Sequence, residues 1–248
     1  MSTSAKCSFK KLVVVAVILI AGLSAVSYAD TFKAAVMDLP VTAVFSAFAQ
    51  AVVEATSNNL SIQVVPPPRT VYLIENKVVD FTLPMLAMKD PAKVKALNYD
   101  YSTAVMYKSS FVLFTNKSKP VDIADLKKGN TKGYRIETDI SMVNQLEFTA
   151  IPSTNIEASL KKVAAGTIDG FVHSEATTDA VLKNMKVPTI KRQLYDQFDL
   201  VFPIQKGGKG GKVDKMLSDG IAKLKASGRF DQLMGDLAKA DTYNDWQP

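Results

Sequence analysis

Short apolar runs alternate with amphipathic stretches along most of the chain after residue 30. Residues 31–36 read as a β-strand. A turn at Asp38, Leu39 and Pro40 then leads into a helix over 41–55, with Val44, Phe48, Ala51, Val52 and Ala55 on one face. Ser57, Asn58 and Asn59 end that helix, and 60–65 form a second apolar strand. Pro66, Pro67 and Pro68 suit neither a central strand nor a helix interior, so they read as a rigid connector. A helix over 69–75 and a strand over 78–83 follow. Strands alternating with helices predict a mostly parallel sheet covered on both faces.

The second half repeats this plan. It offers a short helix over 122–127, a strand near 134–137, a helix around 142–148 and a helix–turn–strand unit over 160–171. That unit ends as the first half does. Asn76 and Lys77 precede Asp80 and a strand, and Gly166 precedes Asp169 and a strand. Asn and Gly tolerate the left-handed backbone that closes a helix. Two such units predict two similar lobes with a cleft between them. Residues 110–114 and 200–204 are apolar and β-rich, and each lies at a change of pattern, so 111–116 and 200–205 are expected to cross between the lobes. The first lobe is then discontinuous, 30–111 and 205–248, and the second is 112–204. The glycine-rich stretch from Lys206 to Lys212 lacks the Gly-Lys-Ser/Thr ending of a phosphate loop and reads as a mobile connector before helices over 213–226 and 230–240.

The first 29 residues fall outside this pattern. Lys6, Lys10 and Lys11 precede an apolar run over 12–23, and Ser27, Tyr28 and Ala29 supply small residues at a cleavage site. That layout predicts a secretory signal peptide cut after Ala29, and hence a periplasmic protein; a retained anchor is the rival reading. Cys7 is the only cysteine of the 248 residues and lies upstream of the apolar run, so the mature chain has no thiol chemistry or disulfide. Removing the segment's three lysines leaves 27 basic against 24 acidic residues, a net charge of +3. No arginine-rich cluster argues for nucleic acid, and nothing after residue 30 is long and apolar enough to span a bilayer. With one histidine and no mature cysteine, neither a metal nor another cofactor is expected. The mature chain is expected to be soluble and monomeric.

The order and spacing of several motifs resemble the family 3 extracellular solute-binding proteins, the periplasmic receptors of ABC importers. The resemblance rests on Asp80 after its helix and turn, on Asn98-Tyr99-Asp100-Tyr101-Ser102 leading into Val112-Leu113-Phe114, and on 121–126. It continues through Gly166-Thr167-Ile168-Asp169 with Ser174-Glu175, and through the closing stretch 224–230. It implies a two-lobed type II binding-protein fold, each lobe a mostly parallel sheet flanked by helices, joined by two hinge strands. It implies capture of a small molecule by lobe closure, without chemistry and without a cofactor, and delivery to an ABC permease. Ligands in open α/β sheets sit beyond the carboxyl ends of the strands, here the loops after 36, 83, 137 and 172.

The sequence departs from that family where the ligand is held. Its amino-acid receptors clamp the α-carboxylate with an arginine about a dozen residues after the first aspartate, a fork suited to a planar anion. At or near that place this chain has Ala92, with Pro84, Met85 and Ala87 before it. Where the family places an acid for the α-ammonium, the chain has His173-Ser174. An unpaired buried charge is costly, so the ligand is expected not to be an ordinary α-amino acid. Leu83, Met85, Met88 and Met106 would give an adaptable apolar wall suited to a largely apolar or aromatic molecule, with core packing the alternative, favoured for Met106. Lys89 could stand in for the arginine or be a solvated surface lysine.

The remaining ligand candidates are Asp38, Arg69, Thr82, Glu137, Thr138, Asp139, His173 and Ser174, beside Leu83 and Met85. Helix capping is the alternative for Asp38, Thr138 and Asp139, a surface position for Arg69, and a structural role for His173. Asp80 and Asp169 are expected to hold up the fold. An enzyme on the same scaffold, similar to cyclohexadienyl dehydratase, is the second functional reading, but its chemistry needs cationic anchors that are missing. A receptor feeding a membrane sensor is the third.

Overall fold

A computed structural model describes residues 29–39, 41–235, 237 and 242–248. Residues 1–28 of the predicted signal segment, Pro40 and most of the end of the last predicted helix therefore lie outside the described residues. Among the described residues no helix is long and apolar enough to cross a membrane.

The first half runs β1 (Thr31–Met37), α1 (Thr42–Glu54), β2 (Asn59–Val65), α2 (Pro67–Glu75), β3 (Phe81–Leu83), β4 (Met85–Leu86) and α3 (Pro91–Lys95). A long strand, β5 (Tyr99–Asn116), leads to α4 (Ile123–Lys127), β6 (Ile136–Asp139), a 3₁₀ turn at Ile140–Met142, β7 (Ile151–Ser153), α5 (Ile156–Ala164), β8 (Gly170–Ser174) and α6 (Glu175–Met185). A second long strand, β9 (Ile190–Gln205), returns to α7 (Lys212–Ala226) and α8 (Arg229–Met234).

The strand order is β2-β1-β3-β9-β5-β8-β6-β7. Its symmetry is internal. Beside the parallel set β2-β1-β3 lie the later part of β9 and the earlier part of β5; beside β7-β6-β8 lie the later part of β5 and the earlier part of β9. Each half is thus a lobe in which three parallel strands are joined by one long-strand segment running against them and a second running with them, and the fold is the two-lobed α/β architecture expected.

The duplicated units share the same closing turn and the same aspartate bonds. In the first, Lys77 takes φ 56°, with Lys77 N–H donating to Ile74 and Val78 N–H to Leu73. In the second, Gly166 takes φ 68°, with Gly166 N–H donating to Val163 and Thr167 N–H to Lys162. Both are Schellman closures, which satisfy the last helical carbonyls. Asp80 then exchanges two bonds with Lys33 on β1, accepting its N–H at 2.8 Å and donating to its carbonyl at 2.8 Å. Asp169 does the same with Arg135, just before β6, at 2.8 and 2.9 Å. The aspartates therefore pin the start of β3 and of β8 to their neighbouring strands.

Three sequence readings change. Pro67 and Pro68 form the first turn of α2 and are not a connector before it; proline's fixed φ and missing N–H suit that turn. The helix expected around 142–148 is a 3₁₀ turn followed by irregular chain. Its buried residues, Met142, Leu146, Phe148 and Ala150, are spaced by four, two and two, which no helix face accommodates. The glycine-rich stretch is an ordered pair of turns. Gly207 and Gly210 have φ 81° and 74°, and their N–H groups donate to Asp100 and Asp214, each at 2.7 Å.

The crossing also shifts. β5 and β9 pair along their whole length, from Tyr99↔Gln205 to Asn116↔Ile190. Ala104, Met106, Tyr107, Leu200, Phe202 and Ile204 belong to the first lobe's core, whereas Phe111, Leu113, Tyr195 and Phe198 belong to the second's. The passage between lobes thus falls near 108–110 and 199, short of the boundaries read at 111/112 and 204/205. Irregular pairing between Tyr101 and Tyr107 and at Phe111/Val112 brackets it, as expected where a ladder must twist.

In the first lobe α7 lies close against α1. A Cβ on Gly220 would stand 2.3 Å from the carbonyl oxygen of Val52, so only glycine permits the approach. Asp214 fastens the start of α7 to β5. It accepts from Ser102 Oγ at 2.5 Å, Thr103 N–H at 2.7 Å and Thr103 Oγ at 3.0 Å, besides the Gly210 N–H.

Candidate ligand-binding cleft

The parallel strands of the two lobes end facing each other along the β5–β9 ladder. β3 starts beside Ile204 and runs towards the second lobe, while β8 ends beside Phe111, which pairs with Asp196, so the loops after β1 and β3 face those after β6 and β8. In the first lobe Val36 pairs with Leu83 and Met37 with Val65, which puts Asp38, Arg69 and Met85 at this edge. In the second lobe Thr138 pairs with Val172, so Asp139 and His173 lie side by side at the ends of β6 and β8.

Segment 85–95 runs from the first lobe towards the second. Met85 and Leu86 pair with Val201 and Leu200 of β9, and Ala87 N–H donates to the Asp199 carbonyl at 2.8 Å. Lys89 then forms an ion pair with Asp196 at 2.5 Å and sits 4.9 Å over the Phe198 ring. Lys93, beside Ala92 on α3, donates to the Asn144 carbonyl at 2.9 Å. The lysine that could have replaced an arginine clamp is thus matched by a carboxylate of the protein. Arg69 is exposed and stacks over Tyr72 at 4.4 Å.

Leu83 is fully buried in the first lobe's core, so the apolar side of the edge is left to Met85 and Met88, which are half-buried. Two tyrosines support it from β5. Tyr99 Oη donates to Met85 Sδ at 3.3 Å, and Tyr101 Oη accepts from Met88 N–H at 3.3 Å. Burial pushes both phenols above their ordinary range, so both stay protonated. Met106 is fully buried in the first lobe's core, as its packing alternative had it. Thr82 is fully buried on β3, and its hydroxyl finds no hydrogen-bond partner among the described residues.

Glu137 and Thr138 bond within the second lobe, and Thr138 does so to a strand and not as a helix cap. Glu137 accepts from Lys162 and Ser159, each at 2.7 Å, which ties β6 to α5. Thr138 Oγ donates to the Val172 carbonyl at 2.8 Å. Asp38 is exposed, and α1 has no side-chain cap, so capping does not account for Asp38 either.

His173 is almost fully buried, stacked 5.3 Å from Phe171, with Nδ1 2.9 Å from Thr178 Oγ. Burial lowers its pKa below the ordinary 6.5, against an opposing pull from the charge of Asp139. The folded chain therefore binds this proton less readily than the unfolded chain. Stability is unaffected by this group above about pH 6.5 and falls as the pH drops below it. In His173→Asn, which keeps a polar atom near Thr178, the midpoint should fall less between pH 7.5 and 5.5 than in the wild type. Parallel thermal melts check this.

Ser174 precedes α6, and the next residue belongs to a network that sequence reasoning missed. Arg192, with no exposed side-chain surface, pairs with Glu175 at 3.0 Å and with Asp179 at 2.6 Å. The C-terminal residues close over it: Asn244 N–H donates to Glu175 at 2.9 Å and Trp246 Nε1 to Asp179 at 2.7 Å. No sequence signal pointed to it: Arg192 lies in the polar stretch Lys191-Arg192-Gln193, and its partners are 13 or more residues away in the chain.

No family model matches the chain, and no curated protein does. Solved structures share its fold. The GluR0 ligand-binding core from Nostoc punctiforme, in complex with L-glutamate, is 12% identical over 83% of this chain and 98% of its own, with a TM-score of 0.58. The substrate-binding protein of an amino acid ABC transporter is 16% identical over 84% and 99%, at 0.55. A histidine kinase sensor domain with similarity to periplasmic binding proteins is 12% identical over 88% and 98%, at 0.57. The fold is that of the family 3 solute-binding proteins.

Proposed function

We propose that this chain is an exported binding protein that captures a small molecule between its lobes by closure. Delivery to an ABC permease is the first reading of its role. The likeness to a histidine kinase sensor domain supports a membrane sensor as the second. The ligand is not an ordinary α-amino acid and is largely apolar or aromatic. One observation carries this: where a carboxylate clamp would sit, the chain has Ala92, and nearby Lys89 is already paired with Asp196 at 2.5 Å. A ligand carboxylate would have to compete with that partner or remain unpaired, which is costly in a closed site. Met85 and Met88, backed by Tyr99 and Tyr101, fit an apolar body. An enzyme reading has less support, because His173 is turned to Thr178 and Glu175 to Arg192.

A thermal-shift panel tests the proposal. A ligand at about 100 times its Kd adds about 2.7 kcal/mol, which for a chain of this size raises the midpoint by roughly 5–10 °C. Such a shift is expected from a neutral aromatic or apolar compound and not from the common amino acids. No shift from any class would overturn the binding-protein reading.

A further inference from the structure

The lobes protect their sheet edges unevenly. On the second lobe's β9 edge, Gln247 stands in for a strand: its side-chain oxygen accepts from Arg192 N–H at 2.9 Å, and its amide donates to the Arg192 carbonyl at 3.0 Å. The lobe's opposite edge, β7, is three residues long and includes Pro152. In the first lobe Asp214 takes the Thr103 N–H of β5 at 2.7 Å. Covering, shortening and proline are the means by which sheet edges avoid other chains. β2, which ends the strand order of the first lobe, has none of them among the described residues.

β2 reads Asn59-Leu60-Ser61-Ile62-Gln63-Val64-Val65, without charge, proline or glycine, and it pairs with β1 along its whole length. An uncharged, unbroken edge of this kind is a template for a further strand. The hydrogen bonds identify its free groups. The Val65 carbonyl accepts from Asp38 N–H at 2.9 Å, on the β1 side. Strand residues turn their backbone groups to alternate sides, so Leu60, Ile62 and Val64 present N–H and C=O outwards. The side chains of these three share one face. Leu60 and Ile62 pack against the first lobe's core, whereas Val64 is 49% exposed.

We propose that β2 is a dimerisation edge, at which a second copy of this chain pairs β2 with β2, antiparallel about a two-fold axis at Ile62. Self-complementarity singles out a second copy. Ile62 falls opposite its own counterpart, and Leu60 opposite Val64 of the second copy, and the same holds in reverse. These pairs exchange about six backbone hydrogen bonds. Their side chains continue the apolar row of each core across the junction and cover Val64. On the other face Ser61 falls opposite Gln63 of the second copy, a neutral polar pair. The whole chain carries a net charge of +6, which opposes self-association, but along β2 no like charges meet. An interface of this kind uses one patch on both copies and closes on itself. β1 and β3 separate β2 from β9, so the pairing engages the first lobe and leaves the crossing strands uncovered. The inference does not rest on the ligand reading, and it departs from the monomer expected from the sequence.

Sedimentation velocity on the chain from Asp30 onwards tests it. The chain should pass from monomer to dimer between micromolar and millimolar concentration. Val64→Lys, at an exposed position, sets an ammonium opposite Leu60 of the second copy; it should keep the chain monomeric over that range with the melting midpoint unchanged. Register is read by cross-linking, since this stretch of chain has no cysteine of its own. Ser61→Cys and Gln63→Cys chains should form a disulfide dimer when mixed and oxidised, because such opposed residues stand about 4.5 Å apart. Either variant alone should cross-link far less, its cysteines lying diagonally at about 7–8 Å. A chain that stays monomeric at millimolar concentration would overturn the proposal. A dimer that survives Val64→Lys would do so too, as would equal cross-linking in either variant alone. A monomer whose β2 edge takes up an unrelated extended peptide would assign the edge to another occupant and overturn the self-pairing.

Discussion

Replacing Arg192 with methionine should destabilise the protein by about 3–5 kcal/mol, since removing one partner strands buried charges. For a chain of this size that is a midpoint lower by on the order of 10 °C. Glu175 and Asp179 would lose a guanidinium with no exposed surface, and Trp246 its stacked cation. The sign of the pH dependence follows from Glu175. Burial already raises its pKa, against the hydrogen bond from Asn244 and the charge of Arg192, which pull it down. Without Arg192 it rises further, so the folded variant binds this proton more tightly than the unfolded chain. The deficit is then largest above the raised pKa and shrinks as the pH falls through it. Denaturant melts at pH 8 and pH 5 measure both effects, and a deficit independent of pH would exclude buried carboxylates as its source.

The second large effect is expected at Asp214. Asp214→Ala leaves Ser102 Oγ, Thr103 N–H and Oγ, and Gly210 N–H without their common acceptor. Buried donors left unsatisfied cost about 1–3 kcal/mol each and are not additive, so a loss of about 3 kcal/mol is expected at neutral pH. Burial pushes this carboxyl up, but the bonds from Ser102, Gly210 and Thr103 outweigh it and hold the pKa below the ordinary 3.8. The stabilisation is fully present above that value and disappears as the pH falls through the depressed pKa, so wild type and variant should converge in acid. Asp214→Asn, which keeps one acceptor oxygen, should lose less. Chemical denaturation across pH checks all three statements.

How much was legible in the sequence depends on the range over which each signal acts. The two helix–turn–strand units were readable because a left-handed closing residue and an aspartate lie within a few positions of each other. Asp80 and Asp169 then make the same pair of backbone bonds in each lobe. The long ladder of β5 and β9 was only partly readable, since its polar positions, such as Lys108 and Asp199, interrupt the apolar pattern where the lobes part. The region after β6 misled because Met142 and Leu146 have helical spacing, yet Phe148 and Ala150 are buried as well. The Arg192 cluster joins residues 175, 179, 192 and 244–247, and no local pattern announces a contact of that range. At the cleft, the absence of an arginine at Ala92 was visible, whereas the pairing of Lys89 with Asp196 required the fold.

That pairing bears most directly on the proposed function, because Lys89 already has a carboxylate partner in Asp196, which also lies 3.8 Å from Lys127. Calorimetric titration of the purified protein with the common α-amino acids, alongside neutral aromatic compounds, reads the consequence without a label. The expected result is no saturable heat from the amino acids at millimolar concentration and a saturable isotherm from an apolar or aromatic compound. A micromolar isotherm for any ordinary α-amino acid would contradict the account.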